Sequence, residues 1–349
     1  MTWPLITKIL IVFLADCFMF HNDHKHLSSS SNILLYRCFG WIILGFVFSF
    51  FLNNVFVLSY QFPVYYQIFS ELNWKSYTAL GIYLSGLIIP IMFVFSFPKN
   101  TLKFEAGILH KFNVYLIRAC FWIVILIGIT DFIISFMRVE RLLPIMFNDY
   151  YVRALSRSAF VGLYVHVPLI ILGFVIAFFT RTLGFTWLAL LIVAGELLIV
   201  ISRFIFSYEQ SFMGDLVRYW YAALFLFASA YTLYEDGHVR VDVFYASKSI
   251  KSKGIINALG CILLGVSTCL VIIVIGFDGK QSIINSPIMN FEVTQTGTVG
   301  MFIKYQMAAF LGVFALTMLI QFISYFFNSI ADYYDNSERL DQQTTRVSS

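Results

Sequence analysis

From residue 33 to residue 327 the chain reads as long apolar runs separated by short polar stretches. Eight runs are long enough to cross a bilayer as helices, which takes about 20 apolar residues. They are Cys38–Tyr60, Tyr77–Phe97, Val114–Phe136, Ala159–Phe179, Leu183–Ser202, Val217–Tyr234, Ile255–Phe277 and Tyr305–Phe327. Transmembrane strands are shorter and alternate in hydrophobicity, so a barrel is set aside. The pattern predicts an all-α fold, a polytopic helical membrane protein with about eight transmembrane helices. Pro90 and Pro168 lie inside the second and fourth runs. Each removes a backbone hydrogen bond and is expected to kink its helix.

The runs divide the chain into four parts. Residues 1–32 form an N-terminal segment, 33–182 a first set of four helices, 183–332 a second set, and 333–349 a tail. The tail is rich in Tyr, Asp, Ser, Gln and Thr and reads as a disordered cytoplasmic end. Residues 4–20 are apolar but carry Lys8 and Asp16, and no small-residue cleavage site follows them. They are expected to form an interfacial helix or weak anchor, followed by a polar linker.

Composition agrees with this reading. Of 349 residues, 60% are hydrophobic, 19% aromatic and 12% charged. A soluble domain carries about 25% charged residues. The net charge of +4 is small and its bases lie between spans, so it reports topology and gives no reason to invoke nucleic acid. The five cysteines, Cys17, Cys38, Cys120, Cys261 and Cys269, form no C-x-x-C pair and read as inert thiols.

Lys and Arg collect on the cytoplasmic side of membrane proteins. Arg240, Lys248, Lys251 and Lys253 are therefore assigned there. Counting back over eight spans puts Lys99, Lys103, Lys111, Arg37 and Lys25 on the same side, with both termini cytoplasmic. Residues 137–158 disagree: Arg138, Arg141, Arg153 and Arg157 fall on the opposite side. Either the N-terminal count is off by one, or this loop is an interfacial helix whose bases meet Glu140 and Asp149.

Two acids lie inside spans, Asp131 in the third and Glu196 in the fifth. A charge in lipid costs at least about 2.5–3.5 kcal/mol, so each must face protein or water. A polar partner across a helix interface, or protonation, is expected ahead of an ion or proton relay. His166 in the fourth span is read as an interhelical hydrogen-bonding group, because no second span offers a facing histidine for haem. Arg203, Glu209, Asp215 and Arg218 bracket the loop between spans five and six. Both arginines sit where they can snorkel, and both acids within reach of pairing with them. His21, His24 and His26 read as a solvated linker, and no metal site is expected.

The densest polar chemistry is Gly237-His238-Val239-Arg240-Val241-Asp242-Val243-Phe244-Tyr245. In an extended chain His238, Arg240 and Asp242 point one way and the valines the other. In a helix His238 and Asp242 form an i,i+4 pair. Four roles suit such a run: a metal site from Asp236, His238 and Asp242, a catalytic His–Asp pair, a merely positive loop, and a docking or bracing segment. The bracing segment with paired charges fits best, since no nucleophile or pocket accompanies the His and Asp.

The run Tyr231 to Tyr245 resembles the signature of the small membrane subunit of TRAP transporters, the tripartite ATP-independent periplasmic transporters. Arg203-Phe204-Ile205-Phe206 resembles the end of that family's first span, and Asp215 stands where an acid precedes its second. Phe291-Glu292-Val293, Gly297, Gly300 and Gln321 resemble the subgroup associated with mannitol or chloroaromatic compounds. The resemblance covers roughly residues 183–330. Two departures stand out. Met213-Gly214-Asp215 replaces a Glu in a Trp-containing stretch, and the four spans before residue 182 have no counterpart. Those spans enlarge the interface with a large subunit or form a separate scaffold.

The resemblance implies a non-enzymatic accessory subunit without cofactor in the bacterial inner membrane. Its partners are a large membrane subunit, which carries substrate and sodium sites, and a periplasmic substrate-binding protein, commonly for an organic acid. It further implies that His238, Arg240, Asp242, Arg203, Asp215, Arg218 and Glu292 serve structure or subunit contact. The competing readings are a stand-alone transporter or channel using Glu196 and Asp131, and a membrane enzyme or haem protein using His166 and His238.

Overall fold

The computed structural model describes residues 31–70, 73–181, 184–235, 243–294 and 297–347. Every regular element among them is helical. Eight long helices make the bundle: α1 Ser31–Tyr60, α2 Trp74–Ser96, α3 Leu102–Val139, α4 Ser158–Phe179, α5 Phe185–Phe206, α6 Ser211–Tyr234, α7 Ile250–Gly276 and α8 Lys304–Val347. Seven are long and apolar enough to cross a membrane. The other, α6, has 24 residues, but Asp215, Arg218 and its tyrosines lower its hydropathy. It packs against α3, α5 and α8. The expected all-α polytopic bundle of about eight spans is what the chain forms.

Local chemistry sets the helix ends. The Asn73 side chain accepts from the Ser76 N–H at 3.0 Å to start α2, and Thr101 Oγ1 accepts from the Phe104 N–H at 3.2 Å to start α3. Two helices contain a π-helical turn, Gly162–His166 in α4 and Cys261–Val266 in α7. In α4 the wide turn lies directly ahead of Pro168, which has no N–H for the preceding turn, and it takes up the mismatch.

The helices run alternately up and down. The C-terminal ends of α1, α3, α5 and α7 share the upper end, and those of α2, α4, α6 and α8 the lower. α8 is the hub. It packs against α1, α3, α6 and α7, and none of its side chains from Tyr305 to Ala331 is exposed. α3 and α8, of 38 and 44 residues, are roughly 57 and 66 Å long at about 1.5 Å per residue. Both therefore overrun a bilayer core of about 30 Å. The expected spans are the C-terminal part of α3 and the N-terminal half of α8, and both overhangs lie at the lower end.

Two cores stack along the α3–α8 pair. The lower one joins α1, α3, α7 and α8 through Ile33, Leu109, Ile273 and Phe327. The other joins α3, α5, α6 and α8 through Phe121, Leu188, Tyr219, Trp220, Phe227 and Phe310. In lipid such contacts hold by close packing and hydrogen bonds, since tails are as apolar as the side chains. At the lower end Arg37, 1% exposed, lies on Glu105, 0% exposed. Trp41 Nε1 donates to the same carboxylate at 3.0 Å, and Arg37 also donates to the Phe97 carbonyl at 2.9 Å.

Candidate functional site

The upper end is built around the connection from α7 to α8. Its last stretch, Met301-Phe302-Ile303, is buried to 0%, 2% and 0% exposure. Buried backbone N–H groups need acceptors, and two carboxylates supply them. Asp131 of α3 accepts from the Phe302 N–H at 2.7 Å. Asp215 of α6 accepts from the Met301 N–H at 3.2 Å and from the Thr294 hydroxyl at 3.3 Å. Arg138 of α3 donates to the Gly300 carbonyl at 2.6 Å and lies 3.8 Å over the Phe302 ring. Gly162 of α4 leaves room for the Phe291 ring, which would lie 2.3 Å from any Cβ there. Glu292 and Lys304 pair at 2.6 Å on the surface, where such a pair contributes little.

A buried polar chain continues inward from Asp131. His166, 0% exposed, faces Asp131 Oδ1 through Nε2 across 3.5 Å. Its Nδ1 lies 2.7 Å from the Tyr305 hydroxyl and 3.0 Å from Gln306 Nε2. The Tyr219 hydroxyl donates to Gln306 Oε1. Gln306 Nε2 also donates to the Tyr305 hydroxyl at 3.0 Å, while His166 Nε2 and Asp131 Oδ1 face each other without a hydrogen bond. Asp131 and His166 thus meet polar partners across helix interfaces.

The four charges at the α5–α6 turn fall into two contacts, Arg203–Glu209 at 3.3 Å and Arg218–Asp215 at 3.6 Å. Tyr208 in that turn donates to Glu140 beyond α3. Burial first, and then the Glu140 carboxylate, push this phenol up to about 12. The expected partnering of Glu140 and Asp149 with the neighbouring arginines is not what forms. Glu140 is held by Tyr208, Arg138 turns inward to Gly300, and Arg141, Arg153 and Arg157 stay exposed without an acidic partner among the described residues. The segment folds into two short helices, Leu143–Met146 and Asp149–Leu155, with Ile145, Met146 and Tyr150 exposed.

Glu196 has the opposite setting to Asp131. It lies on the exposed side of α5 with no polar partner among the described residues. Beside it Ile199, Asp215, Arg218, Thr294, Lys304 and Met307 line an open cleft of about 1100 Å³ between α5, α6, the 283–294 stretch and α8.

Residues 192–330 match the sequence model of the tripartite ATP-independent periplasmic transporters, DctQ component. Over this stretch the chain is similar to that component. No curated protein and no solved structure matches the chain. The matched stretch begins inside α5 and ends inside α8. α1 to α4 lie outside it, yet α3 supplies Asp131 and Arg138 to its upper loop. At the lower end His110 of α3 stacks on Tyr234 of α6 at 3.5 Å between ring centroids, and its Nδ1 lies 3.2 Å from Gln321 of α8.

His238, Arg240 and Asp242 lie outside the described residues, as do Asp236 and the histidines of the N-terminal segment. No cluster of three metal-ligating side chains occurs among the described residues. Gln306, His110 and the Tyr305 hydroxyl carry no functional mark in the sequence, and Arg138 stands out there only as one of the four bases of residues 137–158. Arg138 ends an apolar run beside three other arginines, and nothing local marks it as the one that turns inward.

Proposed function

We propose that the whole chain acts as the accessory membrane subunit of a TRAP transporter in the bacterial inner membrane. In this reading it braces the large permease subunit and helps dock a periplasmic binding protein for sodium-coupled uptake of an organic acid or related small solute. The observation that carries it is the DctQ match over α5 to α8. The fold supports a bracing role: α8 is sheathed on all sides, and the buried carboxylates of Asp131 and Asp215 hold loop backbone. Residues 33–182 serve as a buttress to the module at residues 183–332, with α3 as the strut common to both cores. Arg203, Asp215 and Glu292 keep the upper end in shape, Arg218 braces Asp215 from within α6, and the role of His238, Arg240 and Asp242 in this reading is subunit contact.

Transport by this chain alone through Asp131 and Glu196 is not favoured. One acid is sealed in the bundle and the other lies on its outside, so the two do not face a common path. The test is reconstitution. Sodium-dependent uptake into proteoliposomes should need this chain, the large subunit and the binding protein together, and this chain should copurify with the large subunit in mild detergent. Uptake by this chain alone would show it to be a transporter in its own right.

A further inference from the structure

The outward faces of the bundle are not alike. α2 presents Leu84, Leu87, Ile88, Ile89, Met92 and Phe95, and α7 presents Ile255, Leu259, Leu263, Leu264, Val271 and Ile275. Lipid tails satisfy such faces. The α5–α6 face differs. Glu196 lies midway along the 22-residue α5, about 15 Å from either end at about 1.5 Å per residue, which is the centre of a hydrocarbon layer about 30 Å thick. Gly195 lets α6 approach so closely that a Cβ there would sit 3.0 Å from Val217 Cγ2. Glu196 and Arg218, the residues that follow these two, therefore stand at one depth on the same pair of helices. Arg218 is 68% exposed, with a loose 3.6 Å contact to Asp215. In the interiors of the spans, away from the overhangs and helix ends, Glu196 and Arg218 are the exposed charges among the described residues.

A carboxylate facing tails at mid-membrane is costly, and a polar partner on a neighbouring helix relieves that cost. Lipid headgroups lie too far from the centre to do so. We propose that the α5–α6 face carrying Glu196 and Arg218 is where the large permease subunit packs, through a membrane helix with a hydrogen-bond donor or base opposite Glu196 and an acceptor opposite Arg218. The cleft of about 1100 Å³ beside Ile199 and Met307 receives bulky side chains of that helix. This inference rests on the accessory-subunit reading and adds which face is used and what chemistry it meets.

The test uses the full chain coexpressed with the large subunit. A benzophenone side chain placed at Val200 or Tyr221, 48% and 53% exposed on this face, should photo-cross-link to the large subunit. The same group at Ile89 or Leu264, 63% and 73% exposed on α2 and α7, should not. Glu196→Leu leaves the partner's donor unmatched and should lower recovery of the large subunit roughly three- to twentyfold, the range of one interhelical hydrogen bond in a membrane. Glu196→Gln, which still accepts a hydrogen bond, should retain most of it. Cross-linking from Leu264 or Ile89 in place of Val200 overturns the assignment, as does a cross-link from Val200 to a second copy of this chain. Equal recovery with Glu196→Leu also overturns it. A wild-type chain that retains the large subunit while cross-linking elsewhere leaves the accessory reading intact. A wild-type chain that retains none overturns both.

Discussion

Asp131 and Glu196 look alike in the sequence, each an acid in an otherwise apolar span, and the fold gives them opposite lives. Asp131 is 0% exposed, accepts a backbone N–H at 2.7 Å and faces an imidazole. Glu196 is on the outside of α5 with no hydrogen bond or ion pair among the described residues. The first is held within the chain, and the second is the one we propose to meet a partner subunit. A charge in a membrane helix is thus informative only once its facing is known.

The comparison breaks first at Asp131. Asp131→Leu strands the Phe302 N–H in a dry interior and removes the carboxylate that His166 Nε2 faces, at a cost of about 3 kcal/mol, the upper end for a buried donor that loses a charged acceptor. Thermal unfolding of the purified chain in detergent should show a clear drop in Tm. A drop no larger than that of Glu196→Leu would remove the distinction between the two acids. Asp215→Ala comes next. It leaves the Met301 N–H without its acceptor, at a cost of about 1–3 kcal/mol, and should speed proteolysis within residues 291–303 more than elsewhere. Uniform protection across that stretch would mean that Asp131 and Arg138 hold it unaided.

Tyr208→Phe is smaller, below about 1 kcal/mol for an accessible contact. Its pH dependence identifies it. The raised phenol keeps its proton, so its contact with Glu140 is complete below the ordinary tyrosine value of about 10 and is lost as pH rises through about 12. An alkaline unfolding step in that window should disappear in Tyr208→Phe, and its persistence would assign the step to another group. Last is Glu196→Leu in the isolated chain. With no internal partner to lose, its stability should stay within about 0.5 kcal/mol of the parent, even as recovery of the large subunit falls.

The helices were legible because length and apolarity suffice to specify a crossing rod, and seven of the eight stand out by hydropathy alone. α6 was legible as a span too, although Asp215 and Arg218 weaken it. Which rods touch was not legible. A membrane helix is apolar all round, so periodicity does not single out the side that α3 turns to α8. The Arg138–Gly300 contact joins residues 162 apart in sequence, and the Gly300 carbonyl carries no side-chain signature. The motif at Gly237–Tyr245 pointed to the family through its spacing, while the geometry that could show its role lies outside the described residues.

The sheathing of α8 has a mechanical consequence. The loop clamped by Asp131, Asp215 and Arg138 feeds straight into this helix, whose residues from Tyr305 to Ala331 are all buried or half-buried. At the far end Asp332 meets Lys103 of α3 at 3.3 Å, beyond the expected span. The upper loop and the lower overhang therefore share one rotational setting, as two ends of a keyed shaft do.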